Sequence, residues 1–525
     1  MADKRIVINN FSNGMADDRF SAVGNQYGFS KQFDTITFPK KLKPLRGMTS
    51  HTSGTNIGNM IVASNGLIYA IGDDTVNSNP GKGKIWYLAD YGGSTDFTSI
   101  PTNNQLSGQD VNYDFFVEFP DTGQARTLYW ASHNILVASD PAGATSASTQ
   151  SLTFTTIGQG LVHPKDRQLY FTYKNSSAHY IGIIPANATV WTGISTTAFT
   201  LPFFYRAYCL SWYGNYLAVP LTSTNGAGIQ ASEVGLWGRD TSVTTFDETI
   251  PWGAGSFQVL NNLNGELIGI STFSANYTGS FQDYDSILIK TWSGGASPTL
   301  IKELKVPYAY ASSPTVSHPQ ATINPRVNFI YNNRLYFSVN LVSGDSVHPN
   351  RYGLWSVGRD KLTGQWTVIQ ERVATNDNSE TGIIAAALTG DYLECVHTSV
   401  GTLTKTINGV QANTTYAATS VWESAVNQGM DDQDKALQKK IDNVSIRCEP
   451  LPTSATITLK YRVDSMGSDA DWTTLITFTT ASGVEFDTGS LVLTDGYNYE
   501  FRVESTGGGI PLSIAYRYHT LSNLI

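Results

Sequence analysis

The residues that could do chemistry in this 525-residue chain are acidic side chains and histidines scattered along its length. Hydrolysis of a sugar linkage requires two carboxyl groups about 5 to 9.5 Å apart. Asp283 and Asp285 form the most suggestive pair, but they follow the turn residues Gly279 and Ser280, so a hairpin loop explains their spacing more simply. The full set of carboxylate candidates is Asp114, Glu118, Asp240, Asp283, Asp285 and Asp360.

Three His-Pro dipeptides could form a metal site only if they occupied equivalent positions of a repeated structure. They begin at His163, His318 and His348. Relative to the repeated leucines described below, His163 precedes Leu169, whereas His348 follows Leu335. Turn formation before a proline explains these histidines better than metal binding.

Motif searches give no other chemistry. The chain has no Gly-x-Ser-x-Gly elbow, phosphate-binding Gly-Lys-Ser/Thr loop, His-Glu-x-x-His or Gly-x-Gly-x-x-Gly after a strand. Cys209, Cys395 and Cys448 lack metal-ligand spacing, which argues against a zinc site or a disulfide framework. The sequence therefore predicts a protein that is not an enzyme, with no catalytic residues, no metal site and no cofactor.

A turn followed by a short apolar strand recurs seven times between Ile68 and Glu394. The spacings between copies are 60, 41, 48, 50, 68 and 58 residues, a range typical of propeller blades. The pattern predicts an all-β fold with a seven-bladed β-propeller. The copies begin at Ile68, Leu128, Leu169, Leu217, Leu267, Leu335 and Leu393.

A second recurring element is a strand that carries a tryptophan, and it follows several of these copies. Examples contain Trp86, Trp237 and Trp355, and an aromatic residue such as Phe97, Trp191 or Trp366 closes several units. A large side chain on a half-buried sheet is best explained by packing, so we favour burial of these tryptophans over ligand stacking.

Two turns resemble the Asp-box hairpins of sialidase-like propellers. They run from Asp90 to Phe97 and from Ser139 to Thr145. In such hairpins an aspartate accepts hydrogen bonds from backbone amides and a glycine takes a positive φ. The motif is structural and is no evidence for cleavage of glycosides.

Composition and charge restrict the class of protein further. Asp and Glu number 43 against 34 Lys and Arg, a net charge of −9, so nucleic acid should be repelled and not gripped. The amino terminus lacks the apolar core of a secretory signal, and the apolar runs are too short to span a membrane. We therefore expect synthesis and folding in a cytoplasm.

The chain divides into four predicted segments. Residues 1–55 read as an extended amino-terminal arm, which either packs across the first blades, the option we favour, or reaches a neighbouring subunit. Residues 56–425 form the propeller, and residues 426–440 form a charge-rich linker or short helix, with calcium binding disfavoured. Residues 441–525 contain short alternating strands that predict a β-sandwich.

Short motifs at both ends of the chain resemble tail proteins of tailed bacteriophages. The carboxy-terminal motifs are Lys439-Lys440-Ile441, Glu449-Pro450-Leu451-Pro452, the stretch from Thr458 to Asp464 with Trp472, and the stretch from Phe501 to Gly507. The amino-terminal motifs run from Asn9 to Met15 and from Pro39 to Pro44. A propeller between such ends resembles the nozzle and tail-tube proteins of short-tailed phages.

This resemblance implies a structural component of the virion tail that forms part of a ring around the DNA exit channel. Expected partners are copies of the same chain, with six the number that the resemblance implies, other tail proteins, and passing DNA that is not specifically bound. The alternative is a carbohydrate-active or glycan-binding propeller with a carbohydrate-binding sandwich.

Overall fold

The protein is described by a computed structural model in which most of the chain has a definite placement. The described residues are 4–12, 14–16, 20, 26–46, 48–50, 57–73, 83–88, 98–99, 111–120, 123–132, 134–176, 178–186, 191–224, 230–274, 285–306, 320–343, 352–373, 382–390, 392–397, 403–407, 416, 419–465, 469–479, 484–487 and 493–521.

The fold is all-β, as the sequence predicts. The described residues contain 38 strands, and the one α-helix among them, α1 (Asp432–Lys435), is a single turn. Tertiary contacts divide the chain into two compact units: unit one comprises Met1–Met48, Gly353–Val373 and Val410–Ile525, and unit two comprises Thr49–Tyr352 and Ala374–Gly409. Each unit combines segments that are distant in the sequence, whereas each predicted segment was a continuous stretch of the chain.

The strands are numbered in chain order. The amino-terminal strands are β1 (Lys4–Ile8), β2 (Phe29–Lys31) and β3 (Met48–Ser50). The next two groups are β4 (Ile57–Val62), β5 (Ile68–Asp73), β6 (Gly83–Leu88) and β7 (Thr98–Ser99), and β8 (Val111–Glu118), β9 (Leu128–Ser132), β10 (Ile135–Ser139) and β11 (Ser148–Ser151).

The third and fourth groups are β12 (Thr156–Val162), β13 (Leu169–Lys174), β14 (His179–Ile184) and β15 (Ser195–Thr200), and β16 (Tyr205–Arg206), β17 (Ser211–Tyr213), β18 (Tyr216–Thr224), β19 (Gln230–Trp237) and β20 (Glu248–Ala254). The fifth group is β21 (Ser256–Leu263), β22 (Glu266–Ser274), β23 (Asp285–Trp292) and β24 (Thr299–Val306).

Later strands are β25 (Gln320–Tyr331), β26 (Arg334–Ser343), β27 (Gly353–Arg359), β28 (Trp366–Val373), β29 (Ile383–Thr389), β30 (Tyr392–His397), β31 (Leu403–Ile407) and β32 (Ser420–Glu423). The last strands are β33 (Lys439–Cys448), β34 (Thr456–Val463), β35 (Thr473–Phe478), β36 (Glu485–Asp487), β37 (Tyr499–Thr506) and β38 (Pro511–Thr520).

Unit two is a succession of small antiparallel sheets, each made from consecutive strands. The strand orders are β4-β5-β6-β7, β8-β9-β10-β11, β12-β13-β14-β15, β16-β18-β19-β20 and β21-β22-β23-β24, with β17 also paired to β18. Strand β25 pairs with β26. The sheet β29-β30-β31-β3 takes its last strand from near the amino terminus, so a chain-distant segment completes it.

Each copy of the repeated turn-plus-strand motif lies at the start of the second strand of its group. These strands are β5, β9, β13, β18, β22, β26 and β30. The repeated aliphatic residues are all buried, from Ile68 at 0% exposure to Leu393 at 2%. The sequence repeat therefore corresponds to a structural repeat, since the same residue position of each second strand is buried.

The tryptophans of the second recurring element lie on third strands and pack in the core, as predicted. Trp237 on β19 is fully buried, and its ring centroid lies 5.0 Å from that of Phe199. Trp86 and Trp355 are also buried. Trp191 lies in a turn at positive φ and its ring meets Tyr129 edge-on at 5.4 Å, while Phe97 lies outside the described residues.

The Asp-box-like hairpin at Ser139–Thr145 has the predicted geometry. Asp140 accepts hydrogen bonds from the backbone amides of Ala142 at 2.8 Å and Thr145 at 2.9 Å. Gly143 takes a φ of 69°. Asp240 and Asp360 hold turns between third and fourth strands in the same way, through the amides of Ser242 and Leu362. The similar turn at Asp90 lies outside the described residues.

First strands of successive groups pack against one another. Contacts join β4 to β8, β8 to β12, β17 to β21, β21 to β25, β25 to β29 and β29 back to β4. In the fourth group the contacting strand is β17 and not β16. The link from β12 to this group is made just before β17, where the backbone amide of Gln159 donates to the carbonyl of Tyr208 at 2.9 Å. The series of contacts therefore returns to its starting strand within unit two.

Unit one contains two sheets. One has the strand order β1-β38-β33-β36, and the other includes the run β27-β28-β2-β32-β37-β34-β35. Phe501 on β37 and Tyr516 on β38 bring the two sheets together with ring centroids 5.0 Å apart. Both amino-terminal strands of this unit, β1 and β2, pair with strands of the unit itself, whereas the sequence analysis favoured packing across the first blades.

The charge-rich segment 426–440 contains the short helix α1. Lys439 is fully buried, and its Nζ donates to the carbonyl oxygens of Asp434 at 3.1 Å, Lys435 at 3.0 Å and Leu437 at 2.6 Å. These carbonyls are at the end of the helix, where backbone acceptors lack helical partners. A short helix is one of the two forms predicted for this segment, whereas the buried lysine that caps its end was not predicted.

We expect acid to destabilise unit two through His397 on β30. Burial lowers the pKa of this side chain to about 4 from 6.5, so the folded state holds it neutral. Between these two values the unfolded chain binds the proton and the folded chain does not, and stability therefore falls as pH decreases from 6.5 to 4. Chemical denaturation should show that the free energy of unfolding changes less steeply between pH 6.5 and 4 for His397→Asn than for the parent protein. Equal slopes would contradict a role of His397 in the acid sensitivity.

Candidate functional site

A polar site that joins several sheets of unit two lies where the first strands meet. We call it the hub, and it is built around a bulge of β25. The register of β25 against β26 shifts between Ile323 and Asn328. Pro325 has no backbone N–H to donate to a ladder, which favours a bulge at this point. The hub consists of Gly58, Tyr113, Asp114, Gln159, Asn261, the bulge Asn324–Asn328, and Ile384.

Arg326 connects the bulge to the first two groups of strands. Its Nε donates to Asp114 Oδ1 on β8 at 2.7 Å, and its Nη1 donates to the Gly58 carbonyl on β4 at 3.4 Å. The guanidinium carbon lies 5.2 Å from the centre of the Tyr113 ring. One side chain therefore makes an ion pair, a backbone hydrogen bond and a cation–π contact with two neighbouring sheets.

Side-chain amides connect the bulge to three further groups. Asn328 Nδ2 donates to Gln159 Oε1 on β12 at 3.1 Å, and Asn261 Nδ2 on β21 donates to Asn328 Oδ1 at 3.1 Å. Gln159 Nε2 donates to the Pro325 carbonyl. Asn324 Nδ2 donates to the Ile384 carbonyl on β29 at 3.1 Å. The bulge thus binds β4, β8, β12, β21 and β29.

The polar groups of the hub make hydrogen bonds and an ion pair that join the strands of different sheets. Its amides are neutral and hydrogen-bonded to each other or to backbone, and its carboxylate is paired with a guanidinium. The Arg326 and Asp114 side chains are 22% and 39% exposed, so solvent screens their attraction. The ion pair and the amide hydrogen bonds made by these residues hold neighbouring strands together.

We expect Arg326→Ala to destabilise unit two by about 1–2 kcal/mol, because Asp114 and the Gly58 carbonyl lose their donor. Denaturant unfolding would measure the change, and hydrogen exchange should quicken on β4 and β8. Arg126→Ala is a matched control, because Arg126 makes an exposed hydrogen bond to the Ser146 carbonyl and both residues lie in turns of the same group, β8 to β11. If both variants lost the same free energy of unfolding, the hub would not contribute specifically to the stability of unit two.

The structure does not bring the predicted carboxylate candidates together, as far as it describes them. Asp114 belongs to the hub, and Asp240 and Asp360 hold turns. Glu118 accepts from the Ser64 amide at 2.6 Å and from Ser64 Oγ at 2.9 Å. Asp285 begins β23 with only its backbone described, and Asp283 lies outside the described residues.

His163 lies in a second polar cluster that the sequence analysis did not anticipate. The side chain is fully buried, and its Nδ1 accepts from the Lys165 amide at 3.2 Å, which agrees with the predicted turn. Arg239 Nη1 lies 3.3 Å from the same nitrogen and also binds Asp166, whose Oδ2 accepts from Tyr170 at 2.7 Å. Burial, followed by the charge of Arg239, lowers the pKa of His163. His318 and His348 lie outside the described residues.

The signals for these two clusters were present in the sequence but were weak. Asn324-Pro325-Arg326 places a proline inside an otherwise strand-like run, which marks a bulge without naming its contacts. Gly238-Arg239-Asp240 directly follows the tryptophan-bearing strand, and the sequence gives no signal for the direction of the arginine. In the structure Arg239 has a φ of 67°, and this left-handed turn directs its side chain to another sheet.

Metal ligation finds no support in the described residues, where no group of three or more His, Cys, Asp or Glu side chains is close enough to hold an ion. Cys209, Cys395 and Cys448 are buried and form no disulfide bond. Burial raises the pKa of the Cys209 thiol to about 12, which suppresses its reactivity.

Among the described residues, no helix combines the length and apolar character needed to cross a membrane.

Comparisons with known proteins give little further information. No protein-family model matches the chain, and no curated protein matches its sequence. Among solved structures, one described as the Dos1 propeller is similar at a TM-score of 0.37 and 12% identity, covering 71% of this chain and 97% of its own. A similarity of this size carries no argument about function. Any argument about function must therefore come from the residues of this chain.

Proposed function

We propose that unit two is a seven-bladed β-propeller and that the carboxy-terminal strands of unit one form a β-sandwich. The seven second strands that begin with the repeated motif support the number of blades. The contacts that pass from β4 through successive first strands and return to β4 support closure. Strand β3 beside β31 would complete the last blade. In a closed propeller, a strand from one end of the repeat then joins the sheet at the other end.

We infer that the protein serves as a structural component of a bacteriophage tail and is not an enzyme. The observation that carries this proposal is the hub, where one bulge holds the first strands of five other groups. Interlinked first strands make a stiff body, and a closed propeller leaves only short protected edges. Stiffness suits a part that bears load, and the short motifs at both ends of the chain resemble tail proteins.

In this proposal copies of the chain form a ring around the DNA exit channel, with six copies the number implied by the resemblance. A head-to-tail contact that closes produces such a ring. The net charge of −9 would keep passing DNA mobile, because gripping phosphates requires Lys and Arg. Other tail proteins are the remaining partners. The protein would be made in the host cytoplasm and would reside in the virion tail.

The direct test is the mass and shape of the purified protein. Size-exclusion chromatography with light scattering, followed by negative-stain electron microscopy, should show a ring, either alone or after mixing with other tail components. A monomer that never assembles with any tail component would overturn the proposal.

Hydrolysis of a glycan panel tests the alternative function. Activity on any glycan that disappears in the Asp283→Asn/Asp285→Asn variant would favour a carbohydrate-active propeller over a scaffold. The structural proposal expects no turnover from either protein.

A further inference from the structure

A turn between β15 and β16 presents two phenylalanine side chains to solvent. Phe203 and Phe204 are 81% and 72% exposed, the largest exposed fractions among the large apolar side chains that the structure describes. Their rings meet edge-on with centroids 5.4 Å apart. Exposed turn positions usually carry Gly, Pro, Asn, Asp or Ser, so two adjacent phenylalanines have no local structural purpose there.

The turn is held firmly from below. The Tyr205 amide donates to the Pro202 carbonyl at 2.9 Å, which closes the turn around the two phenylalanines. The Leu201 amide donates to the His179 carbonyl at 2.9 Å, and the Tyr205 hydroxyl donates to Glu233 Oε2 at 2.7 Å. The apolar tip is therefore presented by an anchored base, and little conformational freedom is lost when it binds.

Among the described residues near the tip, two carry positive charge and one, Glu233, carries negative charge. Arg206 follows the turn and is exposed, and Lys174 pairs in register with His179 beneath it. Burial, and then the charges of Lys174 and Arg206, lower the pKa of His179 to about 4, so the imidazole is neutral at pH 7. The Glu233 carboxylate beside the turn is already engaged by Tyr205.

We propose that the Phe203–Phe204 turn inserts into the surface of a lipid bilayer that carries anionic headgroups. Aromatic rings can enter the boundary of the acyl chains while Lys and Arg side chains remain at the phosphates. Two exposed rings followed directly by the exposed Arg206, with Lys174 close enough to affect His179, are complementary to that boundary, where apolar and anionic layers adjoin. This inference does not depend on the tail function, since it uses only the turn and its neighbours.

Flotation with vesicles tests the proposal on the full chain. Vesicles of phosphatidylcholine with about one-third phosphatidylserine should carry the protein upward, and Phe203→Ser/Phe204→Ser should reduce the partition constant by roughly 100-fold, because each buried ring contributes roughly tenfold or more. Arg206→Gln should weaken binding to these vesicles and leave binding to pure phosphatidylcholine unchanged. Leu300→Ser, at a side chain 46% exposed, is the control and should float like the parent protein.

Three results would overturn the proposal. The first is a parent protein that stays with the unbound fraction, and the second is a double variant that floats as well as the parent. The third is a double variant that loses self-association in light scattering while vesicle binding is unaffected, which would assign the turn to a contact between copies. Unchanged circular dichroism and thermal midpoint would establish that the variants are folded.

Discussion

Glu500→Gln should destabilise unit one by about 3–5 kcal/mol, because it leaves the Arg462 guanidinium buried without its counter-charge. Arg462 Nη2 and Glu500 Oε2 are 2.6 Å apart, and their side chains are 2% and 3% exposed. They face each other directly across β34 and β37. The Trp472 ring, 4.2 Å from the guanidinium carbon, covers the pair but carries no charge to replace the carboxylate. Denaturant unfolding of the variant at pH 7 would measure the loss.

The matched control lies on the same two strands. Lys460 and Glu504 are 2.8 Å apart, with side chains 24% and 19% exposed, so Lys460→Gln should cost less than about 1 kcal/mol. Replacing both members of the buried pair, as Arg462→Met/Glu500→Leu, should recover most of the stability, since neither charge of the pair is then left buried without the other. Similar losses for Glu500→Gln and Lys460→Gln would contradict the argument from burial.

Leu335→Ala should destabilise unit two by about 2–5 kcal/mol, through lost burial and the cavity left behind. Leu335 is fully buried at the start of β26 and occupies the repeated position of its group. Its partner across the ladder, Ile330 on β25, is 38% exposed. Because Leu335 is itself fully buried, its removal should lower the thermal midpoint measurably.

Leu300→Ala provides the like-for-like control, because the same methyl groups are removed from a side chain that is 46% exposed. Its effect should stay within about 0.5 kcal/mol. A loss below half a kcal/mol for Leu335→Ala in reversible unfolding would show that the repeat does not mark the core.

Much of the fold could be predicted from the sequence, because turns and strand starts depend on residues that are neighbours in the chain. At each of the seven copies a turn followed by an aliphatic residue begins the second strand of its group, as at Leu128 and Leu267. Period-two alternation then places the tryptophans of third strands on a buried face. Asp140 and Gly143 likewise specify their hairpin through hydrogen bonds that span only a few residues.

The candidate site could not be predicted, because its contacts join residues far apart in the chain. Asp114 and Arg326 are separated by 212 positions, and no local pattern pairs them. The sequence analysis considered Asp114 as a catalytic carboxylate, whereas the structure gives it an ion pair at the hub. Arg239 was missed for the same reason, since its partner Asp166 belongs to another group of strands.

The sequence by itself determined the all-β class, the seven recurring second strands and the buried faces of those strands. Turn propensity and the two-residue period of a strand act within a few residues, and they can be read directly from the chain. Only the tertiary structure decided that β3 completes the last sheet of unit two, that β1 and β2 pair within the carboxy-terminal unit, and that the β25 bulge fills the hub. Each of these outcomes depends on which distant strand edges and side chains meet, and that choice is made by the packing of the whole chain.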